Sequence, residues 1–367
     1  MRHFLRIIAI FMAPIFLLCG VFFTGLLRSG ELADSAALAD ATAKGDVALY
    51  GLAYRDDTRA YKQRVTAQKS AELLVLGTSR SMQFRGDFFK TDSFYNAGGG
   101  AAYLPQMLFF LQSLPKESLP KHLLLVLDQY FYNETWGNVD NERDAAPFVF
   151  QKADIGYSFR RMLTGYPDSK YSLLRVLQTP QGVYGMSAAG KNAGFYADGS
   201  YTYGTALLHP EQSLDYGFKN TLSRIDRGID RFEYGAVCSR ENIAATEELL
   251  AFCKENAIAV TAVLPPYAPA VWQAMQTSGQ YGYLAEIMPA LAPLFAAYDA
   301  EILDYSYLSE TNDAQYVDGF HGSDRVYAAV CLRLAQDSAF LRDFLDADAL
   351  QTLFLADGSP LSLSFAD

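Results

Sequence analysis

From Ile7 to Leu27 the chain carries no charged residue. About 20 apolar residues in a helix cross the hydrocarbon core of a bilayer, whereas the apolar region of a secretory leader runs to only about 7–15. Residues 37–39, Ala-Leu-Ala, resemble a cleavage site but lie well past Leu27. The pattern therefore predicts an uncleaved signal-anchor helix over residues 1–29. Arg2 and Arg6 bias the N-terminus to the cytoplasm, with Arg28 opposing them from the other side. The expected location is the cell membrane, single-pass, with everything after residue 30 extracytoplasmic.

Residues 30–69 are Ala/Asp-rich and then mixed and charged, the composition of a stalk, with Tyr50, Tyr54 and Tyr61 as docking points. Beyond them the pattern alternates. Short apolar runs at 71–76, 94–96, 122–128, 259–264 and 300–304 read as strands, and the uninterrupted runs suit a parallel sheet covered on both faces. Helical periodicity falls at 102–114, 240–256, 268–277 and 283–298, and from Ser323 or Asp324 to about residue 339. This predicts one α/β domain over 70–342 with a doubly wound parallel sheet, whose ligands bind beyond the strand C-termini. Residues 130–235, rich in Tyr, Phe, Gly and Asp with weak periodicity, read as a long insertion. Residues 343–367 read as an acidic C-terminal tail.

Composition narrows the function. With 50% hydrophobic and 19% charged residues, the 367-residue chain can bury a large core and is not disordered. The formal net charge is -11, and no Lys/Arg run interrupts the 41 acidic residues, which excludes nucleic acid as a partner. Four cysteines with no CxxC and four histidines leave no metal-site pattern. Cys253 and Cys331 sit in apolar helical patterns and are expected as buried thiols; a Cys238–Cys253 bridge is the alternative.

The unusual residues fall at the expected strand ends. Ser79, in Gly77-Thr-Ser-Arg-Ser81, follows the first strand and begins a helical turn. Its hydroxyl is placed to attack, and its own backbone N–H can face an oxyanion; a helix cap is the competing role. Asn96-Ala-Gly-Gly-Gly100 follows the second strand, where Gly98 or Gly99 can bring an N–H close to the same oxyanion. Asp318-Gly-Phe-His321 precedes the last helix. Serine needs a base, histidine supplies one near neutral pH, and a carboxylate fixes its tautomer. Ser79, His321 and Asp318 are thus the candidate nucleophile, base and orienting acid. Arg80, Asn96, Asp128 and Tyr267 are candidate substrate-binding residues, Arg80 having a structural ion pair as its alternative. Tyr130, Tyr132, Tyr184, Tyr196, Tyr201 and Tyr203 are candidates for stacking on sugar rings.

Taken together, these segments resemble the SGNH (GDSL-type) hydrolases over roughly residues 70–130 and 240–340. The first block matches Gly77–Ser81, the glycine of the second matches Gly98 or Gly99, and the Asp-x-x-His block matches Asp318 and His321. Thr78 stands where the motif has Asp. The Gly-x-Asn-Asp block is missing, with Leu127-Asp-Gln-Tyr130 in its place, so the side-chain amide donor is unassigned, Gln129 and Asn133 being the nearest amides. The resemblance implies a three-layer flavodoxin-like fold and acyl transfer through a serine ester, without metal or organic cofactor. The anchor and the Ser-Arg-Ser sequence look like the membrane-anchored subgroup. That subgroup resembles the D-alanyl transfer protein of teichoic acid synthesis and the SGNH-like proteins of exopolysaccharide O-acetylation. The implied activity is that of an extracytoplasmic acyltransferase or acyl-esterase on a cell-envelope glycan. The implied partners are an acyl donor and a membrane-bound O-acyltransferase. The alternative is an inactive glycan-binding or scaffolding subunit of an O-acylation complex.

Overall fold

The computed structural model describes residues 1–136 and 148–363. The part of the expected insertion at 137–147 and the last four residues of the expected tail lie outside them. The chain divides into two compact units: residues 1–57, 150–197 and 202–205 form one, and residues 58–149, 198–201 and 206–367 the other.

The first unit begins with α1 (Arg2–Arg28), a single helix with Pro14 inside it. At 1.5 Å per residue it is about 40 Å long. It is long and apolar enough to cross a membrane by length and composition. Only Phe22, Gly25 and Leu26 on it are buried. The chain does not continue as a stalk. A helix over Ser35–Ala43, capped by Asp34, buries Leu38 and Ala39. Residues 49–50 then pair in parallel with 183–184 and antiparallel with 195–196. The expectation failed because Ala-rich, weakly amphipathic sequence carries little signal until its packing partner is known. That partner comes from the expected insertion: α2 (Ile155–Gly165), α3 (Leu173–Leu177) and a helix over Met186–Lys191 complete this unit.

The second unit opens with a helix over Thr58–Lys69 that buries Tyr61, Lys62 and Val65, again where a stalk was expected. Its sheet has five parallel strands: β1 (Leu73–Leu76), β2 (Phe94–Asn96), β3 (His122–Val126), β4 (Ala259–Leu264) and β5 (Glu301–Asp304), in the order β2-β1-β3-β4-β5. Leu73 is level with both Phe94 and His122, Leu125 with Ala262, and Leu264 with Asp304. Every residue of β1 is buried, as a strand covered on both faces requires. The order reverses direction at β1, so the crevice beyond the ends of β1 and β3 is the topological switch point where such sheets bind ligands. Helices over Leu104–Gln112, Arg240–Glu255, Pro269–Ser278 and Leu284–Ala297, together with α4 (Asp324–Asp337), lie within two or three residues of their expected bounds.

The described part of the acidic tail, up to residue 363, is folded. Asp346 caps a helix over Ala347–Leu355 that buries Leu350, and Arg325 on α4 donates to the Phe354 and Ala356 carbonyl oxygens. Cys253 and Cys331 are buried free thiols, and Cys238 is also free.

Candidate active site

At the end of β1 the chain turns sharply into a 3-10 helix over Ser79–Ser81. Thr78 caps it: its Oγ1 accepts from the Arg80 N–H at 3.2 Å and donates to Asp128 Oδ2 at 2.6 Å. It presents Ser79 at the switch point.

The Asp318–His321 loop meets it from the other end of the sequence. Asp318 Oδ1 accepts the N–H groups of Phe320 and His321, each at 2.8 Å, closing a tight turn. The same carboxylate lies 2.9 Å from His321 Nδ1, and His321 Nε2 lies 2.9 Å from Ser79 Oγ. An ionised carboxylate only accepts. It therefore fixes the imidazole proton on Nδ1 and leaves the Nε2 lone pair facing the serine hydroxyl. Burial alone would raise the Asp318 pKa, but His321 and the two backbone donors outweigh it and hold the carboxyl below its usual range. Asp215, in the weakly patterned segment, accepts from the Gly319 N–H at 2.9 Å and from Thr221, and so braces the loop. Nothing in the sequence pattern marks Asp215.

The remaining expected site residues are placed differently. Gly98 and Gly99 lie against the serine turn, but their N–H groups are already engaged. Gly98 donates to Asn96 Oδ1 at 2.6 Å, and Gly99 to the carbonyl oxygens of Gly77 and Thr78 at 3.0 and 3.2 Å. The glycines are there for close approach: a Cβ on Gly98 would sit 2.5 Å from Ser81 Oγ. The Ser79 N–H has no acceptor among the described residues and is a backbone donor available at the turn.

Arg80, Asn96, Asp128 and Tyr267 do not line a substrate surface; all four are buried. Arg80, 1% exposed, pairs with Asp128 at 2.9 Å and donates to Gln129 Oε1 and to the carbonyl oxygens of Pro265 and Pro266. Its guanidinium carbon lies 4.3 Å from the Tyr267 ring centroid and 4.7 Å from that of Phe320. The Tyr327 hydroxyl donates to the Arg80 carbonyl oxygen. Asn96 Nδ2 donates to the Ser81 and Phe84 carbonyl oxygens. Arg80 thus ties the ends of β1, β3 and β4 together beneath Ser79. The ion pair that sequence reading gave as its alternative role is the one observed. Gln129 Nε2 and Asn133 Nδ2 are also spent, on Ser306 Oγ and Pro265 O and on Glu233 O respectively. Of the tyrosines expected to stack on sugars, Tyr130 and Tyr132 are buried. An open cleft of about 400 Å³ lies along Trp272, Met275, Tyr281 and Asp304, and Ser79 is not among its lining residues.

Comparison with protein-family models, with curated proteins and with solved structures finds no match.

Proposed function

We propose that this protein is a membrane-anchored, extracytoplasmic serine acyltransferase or acyl-esterase of the SGNH type. Its substrate is an acylated cell-envelope polysaccharide or teichoic-acid-like polymer. The observation that carries the reading is the continuous contact from Asp318 through His321 to Ser79 at the switch point of the sheet. The strand order agrees with it, being that of a flavodoxin-like sheet. The apolar α1 supports the anchor.

In the first half-reaction Ser79 Oγ attacks the acyl carbonyl and its proton passes to His321 Nε2. Asp318 stabilises the imidazolium that forms. The Ser79 N–H faces the developing oxyanion. Collapse breaks the bond to the donor oxygen, which leaves with the proton from Nε2. In the second half, His321 takes a proton from an acceptor hydroxyl or from water, which attacks the acyl-serine and releases Ser79. A membrane-bound O-acyltransferase is the partner that would supply the acyl group. None of these steps calls on a metal or organic cofactor.

Fluorophosphonate labelling of the full-length protein tests the reading. An adduct on Ser79 that disappears in His321→Ala is expected. A folded protein that forms no adduct would overturn it in favour of a second reading, a non-catalytic glycan-binding or scaffolding subunit. The observation favouring that second reading is the engagement of both Gly98 and Gly99 N–H groups, which takes both glycine donors away from the oxyanion.

A further inference from the structure

The first unit is joined to α1 without slack. Ser29 Oγ donates to the Leu26 carbonyl oxygen at 2.9 Å, and the Gly185 N–H donates to Ser29 O at 2.6 Å. Two residues past the bond, the buried Glu31 carboxylate accepts from the N–H groups of Ala53, Tyr54 and Met186 at 2.7–3.1 Å. The chain that leaves the apolar helix is thus pinned on both sides within one turn.

The same end of α1 is clasped by α2 and α3. Phe22 and Leu26 pack in one cluster with Met162, Tyr171 and Val176. The Phe22 and Tyr166 rings meet edge-on at 5.3 Å, and a Cβ on Gly25 would lie 2.7 Å from Met162 Cε. From Phe22 to Arg28 is about 9 Å along the helix axis. If α1 spans the bilayer, about 20 of its residues fill the hydrocarbon, and these last turns fall where hydrocarbon gives way to headgroups. Helices α2 and α3 are fixed at that depth.

The outward chemistry of α2 and α3 suits that place. Ile155 is 55% and Leu174 65% exposed, and Tyr166, directly after α2, is exposed as well. Arg160, Arg161 and Arg175 are exposed on the same two helices. The nearby carboxylates are engaged, Asp154 capping α2 and Asp168 pairing with Lys170 at 3.3 Å. A local excess of arginine on a chain of net charge -11 is complementary to an anionic surface. Apolar side chains interleaved with arginine and tyrosine are the composition of a helix lying in the interface.

We infer that α2 and α3 form a membrane seat, lying in the headgroup layer of an anionic phospholipid bilayer and holding the first unit against it. The inference rests on the reading of α1 as a spanning helix.

Full-length protein in phospholipid nanodiscs tests it, with p-benzoylphenylalanine placed at Leu174 or, as the span control, at Leu17, which is 72% exposed. In discs containing phosphatidylglycerol, irradiation is expected to give lipid adducts at both positions. The Leu174 adduct should fall several-fold in pure phosphatidylcholine and in the Arg160→Glu/Arg161→Glu/Arg175→Glu variant, while the Leu17 adduct stays unchanged. Lipid adducts at Leu17 without any at Leu174 would overturn the seat and leave the spanning reading standing. Equal Leu174 adducts in both lipids would overturn the anionic preference and with it the proposal. No lipid adduct at either position would overturn the spanning reading itself. In native membranes, a Leu174 adduct to polypeptide in place of lipid would overturn the seat in favour of a protein partner.

Discussion

The Arg80 guanidinium lies 4.7 Å from the centroid of the Phe320 ring, and Phe320 immediately precedes His321. Arg80 itself immediately follows Ser79. One buried stacking contact therefore joins the two segments that bring Oγ and Nε2 to 2.9 Å. The same guanidinium is hydrogen-bonded to the residues after β3 and β4. Arg80 thus couples the separation of serine and histidine to the strand ends, alongside the Asp215 brace on the histidine loop.

Arg80→Met should accordingly destabilise the protein by about 3–5 kcal/mol, because it leaves Asp128 buried without its cation. Arg80→Met/Asp128→Asn should recover much of that loss, since the second change removes the stranded charge. Urea midpoints of the single and double variants in detergent measure both. A double variant no more stable than Arg80→Met would show that stacking and the Pro265 and Pro266 contacts, not the ion pair, carry the stability.

Asp318→Asn keeps the shape of the loop but loses the acceptor that fixes the proton on Nδ1. An amide can donate to Nδ1 and hold the other tautomer, which turns an N–H toward Ser79. Fluorophosphonate labelling of Ser79 should slow by about 10³–10⁴-fold. The stability sign also follows. The folded carboxyl is held below its usual range, so its contribution is present above the unfolded pKa of about 3.9 and is lost as pH falls through the folded value. The wild type should therefore lose its advantage over Asp318→Asn on acidification, which unfolding curves between about pH 6 and pH 3 would read.

Much of the sheet is legible in the sequence because buried parallel strands are continuous apolar runs. All five were visible, within two residues of their observed ends. The Ser79, His321 and Asp318 positions were legible for a related reason: chemistry-bearing residues at strand ends interrupt an apolar pattern. What was not legible depends on non-local packing. Lys62 and Asn96 are polar residues that the sequence places on a charged stalk and at a strand end facing substrate, and the fold buries both. Gly98 suggested an oxyanion donor because glycine permits approach. Which acceptor its N–H would find depended on the Asn96 side chain two residues earlier.

Gly98→Ala tests that last point. Its Cβ would stand 2.5 Å from Ser81 Oγ, 2.7 Å from Asn96 Oδ1 and 3.0 Å from the Met82 nitrogen. Overpacking of this kind costs about 1–3 kcal/mol. The serine turn must shift to relieve it, so labelling of Ser79 should slow as well. Unchanged labelling at reduced stability would show that the turn and the glycine loop move independently.

Lys62 gives the last prediction. Its ammonium group is fully buried and donates to the Asn96 carbonyl oxygen at 2.8 Å and to that of Gly199. Burial holds its pKa well below the usual lysine value, with Asp198 opposing the shift. Between the lowered folded value and the unfolded value of about 10.4, the unfolded chain binds the extra proton. Folding stability from this group therefore rises with pH across that window, by at most about 1.4 kcal/mol per pH unit. Other groups titrate there too, so the quantity to measure is the difference between wild type and Lys62→Met. The methionine variant cannot titrate, and the wild type should gain on it as pH rises from the lowered folded pKa of Lys62 toward about pH 10. A difference that stays flat over that range would mean that Lys62 keeps its charge in the folded protein, held by the two carbonyl oxygens beside it.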